Sequence, residues 1–253
     1  MDAKTLRGRS QKEGIQQAIM EKDYVLSIVL KHLSGWNLKD KVVFKGGTAI
    51  KKIYFAEARF SEDLDFSAIN VEPEEIENEL KTIFENKKIL DTDFKLLLKE
   101  KTSSGLRFAL KFTSVLNYPQ TIRFDFSFRE NLEKKQEERQ VIDYYGIGEA
   151  KLKVLSIEEI LAEKIHALFT RTVARDLYDV WFLMQKGVKI NRQLTDKKFS
   201  YYNEKIEVTE LEKKISRFEP KWGKDLSQFL KDVPKIKDIQ TQVIQTVKQN
   251  FSK

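Results

Sequence analysis

The chain has 253 residues, with 46 Lys+Arg against 39 Asp+Glu, a formal net charge of +7 and 41% hydrophobic residues. An apolar share of that size in a chain this long can bury a real core, which excludes general disorder, and the positive balance favours phosphate-bearing partners. The absence of cysteine excludes disulfides, thiolate zinc sites and thiol catalysis, and two histidines, His32 and His166, argue against a multi-histidine metal site.

Mean hydropathy is −0.49, no apolar run approaches the ~18 residues of a membrane span, and the polar start MDAKTLRGRSQKEG lacks a signal-peptide apolar region, so a soluble, cytoplasmic protein is expected. Few glycines and prolines predict long elements. Ser10 caps a predicted helix over 11–33, with Ile15, Ile19, Leu26, Val29, Leu30 and Leu33 apolar, closed by Gly35. The short apolar strand Val42-Val43-Phe44 runs into Gly46-Gly47-Thr48 and a helix over 48–57. RFSEDLDFSAI reads as a strand, and Pro73 with the acids after it opens a helix over 73–87. Alternation of Phe94, Leu96, Leu98, then Leu106, Phe108, Leu110, Phe112, then Ile122, Phe124, Phe126, Phe128 predicts a β-meander over 92–128, turned at Asn117-Tyr118-Pro119-Gln120. The charged stretch 129–140 reads as a solvated excursion. From Ser156 the pattern is helical: Ser156 and Glu159 form a capping box, Pro220 and Pro234 mark boundaries, and a last helix spans 235–250. The fold class is therefore α+β, with an α/β domain over 1–155 and a helical domain over 156–253.

Asp63 and Asp65 sit two apart on a strand, so both carboxylates leave one face while Leu64 and Phe66 leave the other. Converging carboxylates need a cation, and Mg²⁺ suits hard oxygen ligands shared with phosphates. Taken alone, the pair is a weak signal that reads first as a solvated strand edge, and Gly46-Gly47-Thr48 reads equally as a tight turn with a capping threonine. Together, with the glycines leaving the backbone open to an anion at a helix start, they describe a triphosphate cradle opposite a metal-binding acid pair. Asp125 lies between Phe124 and Phe126, on the face of Arg123 and Ser127; it is either a third ligand or base, or an ion-pair partner of Arg123 or a neighbouring strand. Lys164 interrupts the apolar stripe Ile157, Ile160, Leu161, Leu168, so it either snorkels or meets a partner such as Asp176 or a triphosphate. Asp176 and Asp179 lie i,i+3 on a helix expected to bury Leu177, Val180, Trp181 and Met184; an ion-pair network with Arg171 and Arg175 is the alternative to a role in chemistry. His166 reads as structural.

FKGGTAIKKIY followed by RFSEDLDF resembles the opening of the AbiEii/AbiGii toxin nucleotidyltransferases, within the polymerase-β-like nucleotidyltransferase superfamily. EKIHALFTRTVARDLYDVWFL is similar to that family's second region, whose residues fall here on Lys164, Arg171, Arg175, Asp176 and Asp179. The resemblance covers roughly 10–185; the tail after about 187 carries no motif of the family. Ile50 and Arg175 depart slightly from the usual leucine and lysine. The resemblance implies a mixed sheet flanked by helices, then a helical bundle closing the active-site cleft. It implies Mg²⁺-dependent transfer of a nucleoside monophosphate from an NTP to an acceptor hydroxyl, by the toxin of a toxin–antitoxin pair with a separate antitoxin partner. Asp63, Asp65 and Asp125 would hold metal; Gly46, Gly47, Thr48, Lys164 and Arg171 would bind nucleotide; Lys164 and Asp176 would join the three aspartates in catalysis. Some relatives modify the 3′ end of tRNA, and a basic helical domain suits an RNA acceptor. The competing readings are a small-molecule or protein acceptor, or a nucleotide- or RNA-binding module without turnover.

Overall fold

The computed structural model describes residues 1–128, 132–133 and 135–251. It divides into two compact units, Met1–Leu155 and Ser156–Lys253.

The first unit begins with helices α1 (Ala3–Glu13) and α2 (Gln17–Leu33). One helix was expected here. Gly14, at φ +64°, breaks it, and Ser10 lies inside α1 with its hydroxyl donating to the Ile15 carbonyl. Strand β1 (Val42–Lys45) leads into α3 (Gly46–Ala49), which starts two residues earlier than expected and continues as a π-helical turn over Ile50–Tyr54. β2 (Asp63–Ala68) occupies only the second half of RFSEDLDFSAI. α4 (Pro73–Phe84) comes next, opened by a reciprocal cap between Glu72 and Glu75. The meander is β4 (Thr92–Thr102), β5 (Gly105–Thr113) and β6 (Gln120–Ser127), preceded by the unanticipated two-residue β3 (Lys88–Ile89). Part of the charged excursion, 129–131 and 134, lies outside the described residues; its far end is β7 (Glu137–Gln140), exposed throughout, and β8 (Lys151–Val154) completes the unit.

These strands form one mixed sheet in the order β3-β4-β5-β6-β2-β1-β8-β7. β6 and β2 run parallel, as do β1 and β8; the remaining neighbours are antiparallel. The period-2 pattern sends Phe44, Phe66, Phe108, Phe124 and Phe126 to one face, where Phe66 and Phe126 stack 5.0 Å apart. Ile76, Leu80 and Phe84 of α4 and Trp36 cover that face. The other face carries the charged residues of β2, β5 and β6.

A buried ion pair ties α2 to the π-turn. Lys52 Nζ lies 2.8 Å from Asp23 Oδ2 and also donates to Ser27 Oγ and the Asp23 carbonyl, while the Tyr145 hydroxyl donates to Asp23 Oδ2 at 2.7 Å. Both charged side chains are almost wholly removed from solvent.

The second unit is helical: α5 (Ile157–Thr170), α6 (Ala174–Gln185), α7 (Arg192–Tyr201), α8 (Leu211–Ser216), α9 (Trp222–Leu226) and α10 (Ile236–Phe251). Ser156 accepts from the Glu159 amide, but the Glu159 carboxylate does not complete the expected box; it turns inward to Lys198 at 2.8 Å. On α6 the buried residues include Leu177, Tyr178, Val180, Phe182 and Leu183, whereas Trp181 and Met184 are only half-buried. The Trp181 indole donates to Gln242 of α10. The Trp222 indole donates to the Pro234 carbonyl, closing the connection before α10.

Lys52→Met should cost about 3–5 kcal/mol in urea unfolding, because it leaves a carboxylate buried without its cation. Asp23→Leu combined with Lys52→Met should recover most of that loss.

Candidate active site

The sheet register gathers the acids named from the sequence. In the parallel pairing of β2 with β6, Asp65 stands beside Asp125 and Asp63 beside Arg123. Asp63, Asp65 and Asp125 therefore share one face, opposite the phenylalanines. A row of charge crosses five strands there: Lys45 of β1 opposite Asp65, Asp65 beside Asp125, Asp125 opposite Arg107 of β5, and Arg107 opposite Glu100 of β4.

Hydrogen bonds complete the pattern. Arg123 grips both oxygens of Asp63, at 2.9 Å from Nε and 3.1 Å from Nη2. Arg107 donates from Nε to Asp125 Oδ1 at 2.5 Å and from Nη1 to Glu100 Oε2 at 2.6 Å. Of the two readings of Asp125, the ion pair to a neighbouring strand is present, but its partner is Arg107 rather than Arg123.

The Gly46-Gly47-Thr48 turn abuts this face. Gly46 has φ +76°, and a Cβ there would lie 2.2 Å from Asp65 Oδ2, so the carboxylate folds directly onto the glycine. A Cβ on Gly47 would lie 2.8 Å from the buried guanidinium of Arg59. Thr48, expected to offer its hydroxyl to a phosphate, is fully buried and donates that hydroxyl to the Asp63 carbonyl at 2.5 Å. It braces the turn against the first residue of β2.

Among the described residues no three acidic or histidine side chains are gathered closely enough to hold a metal ion. The chemistry of the donor set nevertheless fits a hard divalent cation: three carboxylates on one face of adjacent strands, two of them recessed behind arginines.

In the helical unit, Lys164 is buried and lies 2.7 Å from Asp176 Oδ1 and 2.9 Å from Asp179 Oδ2. Arg171 holds Asp176 through two further bonds, at 2.8 and 3.1 Å. Asp176 thus joins two cations. Its burial works to raise its pKa, but the charges and hydrogen bonds of Lys164 and Arg171 prevail and hold it at about 2, below the ordinary 3.8. Arg175 lies over the Phe229 ring at 5.1 Å. His166 stacks on Tyr202 and meets Glu204 at 2.9 Å, a structural setting.

Residues 28–245 match the family described as nucleotidyl transferase AbiEii toxin, type IV toxin–antitoxin system. The chain belongs to the AbiEii nucleotidyltransferase toxin family. The match runs well past residue 187, so the tail that carried no legible motif is part of the AbiEii unit. MenT4, a nucleotidyltransferase toxin of Mycobacterium tuberculosis, superimposes with a TM-score of 0.72 at 19% identity, over 97% of this chain and 88% of its own. JHP933 of Helicobacter pylori superimposes with a TM-score of 0.64 at 21% identity, over 94% and 97%. These likenesses bear out the expected α+β nucleotidyltransferase fold. No curated protein sequence matches the chain. Among the described residues no helix is long and apolar enough to cross a membrane.

Sequence reasoning passed over Lys45, Arg59 and Arg107 in this AbiEii chain. Arg107 was findable: it occupies a polar position in the alternation of β5, in line with Asp125 once the register is known. Lys45 ends an apolar run, and only the antiparallel pairing of β1 with β2 brings it opposite Asp65.

Gly46→Ala should lower thermal stability by about 1–2 kcal/mol from the left-handed backbone alone, and displace the Asp65 carboxylate. Calorimetry and a structure of the variant would check both effects. The depressed pKa of Asp176 supports folding by about 2 kcal/mol at neutral pH. That contribution is complete above pH 3.8 and fades as the pH falls toward 2. In urea unfolding across a pH series, Asp176→Asn should therefore be less stable than the parent at pH 7, and the difference should shrink through that window.

Proposed function

We propose that this AbiEii toxin transfers a nucleoside monophosphate from an NTP to a hydroxyl of an RNA acceptor, with the acid face of the Met1–Leu155 unit carrying the chemistry. The observation that carries this reading is the β2–β6 register, which sets Asp65 beside Asp125 with Gly46 against them. Asp63, Asp65 and Asp125 would hold Mg²⁺, which when bound neutralises charge on the phosphates and on the attacking and leaving oxygens. Gly46 and Gly47 serve the nucleotide by making room for the Asp65 carboxylate and the Arg59 guanidinium against the turn, while Thr48 keeps that turn fixed to β2. Asp125, the acid beside Asp65, accepts the acceptor's proton or completes the ligand set. Lys164, held by Asp176 and Asp179, and the more exposed Arg171, held by Asp176, are the cations that the family resemblance assigns to nucleotide binding.

An RNA acceptor is supported by charge: residues 156–253 contain 19 Lys+Arg against 14 Asp+Glu, which favours a polyanion. Family membership adds a cognate antitoxin as protein partner.

Incubation with each α-labelled NTP, Mg²⁺ and total cellular RNA should move label onto RNA and release pyrophosphate. Asp63→Ala and Asp65→Ala should reduce transfer by several powers of ten, about 10³-fold or more, while far-ultraviolet circular dichroism stays unchanged. Lys164→Met removes the cation shared by two buried aspartates, so it should lower stability in urea unfolding and, per folded molecule, transfer poorly. Label on protein or on a small molecule would move the acceptor assignment. No pyrophosphate release with any NTP would leave a binding module.

A further inference from the structure

The two arginines on the acid face, unlike the buried lysines Lys52, Lys164 and Lys198, are exposed. The side chains of Arg123 and Arg107 are 64% and 59% accessible, whereas those of Asp63 and Asp125 are recessed at 24% and 38%. Arg123 donates one bond to each oxygen of Asp63 and Arg107 donates one to Asp125, so each guanidinium takes up acceptor sites that a metal ion would compete for. Of the three acids, Asp63 and Asp125 are turned to arginines and Asp65 is folded onto Gly46. That arrangement is the physical reason why the face holds three hard ligands without presenting a gathered metal site.

Both pairs are open to water and screened there, although the two-bond fork of Arg123 on Asp63 holds harder than a single exposed contact. Arg107 also has a second partner in Glu100, which retains it once Asp125 lets go. Charge favours an exchange over an addition. Lys45, Arg107 and Arg123 stand against Asp63, Asp65, Asp125 and Glu100, so a divalent cation entering beside the arginines would turn a net charge of −1 on this row into +1.

We infer that Arg123 and Arg107 are resident counter-cations of the acid face, which a divalent cation displaces and which then turn to the phosphate oxygens of the nucleotide. The inference rests on the nucleotidyltransfer reading of this face. It makes both arginines positioning residues: they hold the carboxylates parted and aimed before metal arrives, and they set the metal affinity of the nucleotide-free protein.

The test is Mn²⁺ binding to the nucleotide-free full chain, read from the electron paramagnetic resonance signal of the free ion. Arg123→Gln and Arg107→Gln should each bind Mn²⁺ more tightly than the parent, by about tenfold, with Arg123→Lys intermediate because it keeps the charge but not the fork. Melting temperatures should barely move, since both side chains are exposed. The same Gln variants should raise the KM for NTP more than they lower kcat. Mn²⁺ affinity equal to or weaker than the parent's in both Gln variants overturns the exchange, as does binding too weak to detect in parent and variants alike. Asp65→Asn separates this from the underlying reading. If it abolishes Mn²⁺ binding while the arginine variants leave affinity unchanged, only the exchange fails. If Mn²⁺ binding survives Asp65→Asn, the metal is not held by this face and both readings fail.

Discussion

Two carboxylates held side by side on adjacent strands set the terms for everything around them. Asp65 and Asp125 are register partners in the parallel pair β2–β6, and like charges that close repel unless cations stand next to them. Lys45 and Arg107 flank the pair along its own row, and Arg123 neutralises Asp63 one step away. The phenylalanines on the opposite face fix the strands that hold the acids: a slip of one residue would send the carboxylates into the stacked rings and the rings into solvent. The geometry of the acids is thus secured by an apolar core they never touch.

The chain uses ion pairs in two different ways. Lys164 with Asp176 and Asp179, Lys52 with Asp23, and Lys198 with Glu159 are buried, and breaking any of them leaves an uncompensated charge away from water. They fix helices. The arginine–aspartate pairs on the sheet are open to water and screened, so they hold side chains in place without locking them. The first kind gives a scaffold its shape; the second leaves a surface able to change partners.

Much of this was legible in the sequence because it depends on period. Alternation placed Asp63, Asp65 and Asp125 on polar faces and the phenylalanines behind them, and a lysine in an apolar helical stripe pointed to a buried ionic partner at Asp176. What alternation cannot supply is register. The pairings of Asp65 with Lys45 and Asp125, and of Asp125 with Arg107, come from strand order and offset, which are long-range properties. Local pattern also misjudged places where a tertiary bond outweighed it. Gly14 split one expected helix into two, Glu159 left its cap for Lys198, and Thr48 turned inward to the Asp63 carbonyl. The family match through residue 245 shows the same limit in the tail, where short helices of ordinary composition give no motif to read.

The π-turn between Ile50 and Tyr54 closes on a bond from the Phe55 amide to the Ile50 carbonyl at 2.8 Å, one residue wider than an α-turn. That width holds a residue in reserve. A π-turn winds about one residue more through each turn than an α-turn does, so removing one residue here and letting the turn relax to α geometry would leave the direction of the downstream chain nearly unchanged. Lys51 and Lys52 sit inside the turn, one bonded to the carbonyls of Ala56 and Ala58, the other to Asp23. The limit on that segment is therefore set by its lysines rather than by its length: a deletion that leaves Lys52 facing Asp23 keeps the buried pair, and one that turns Lys52 away loses it.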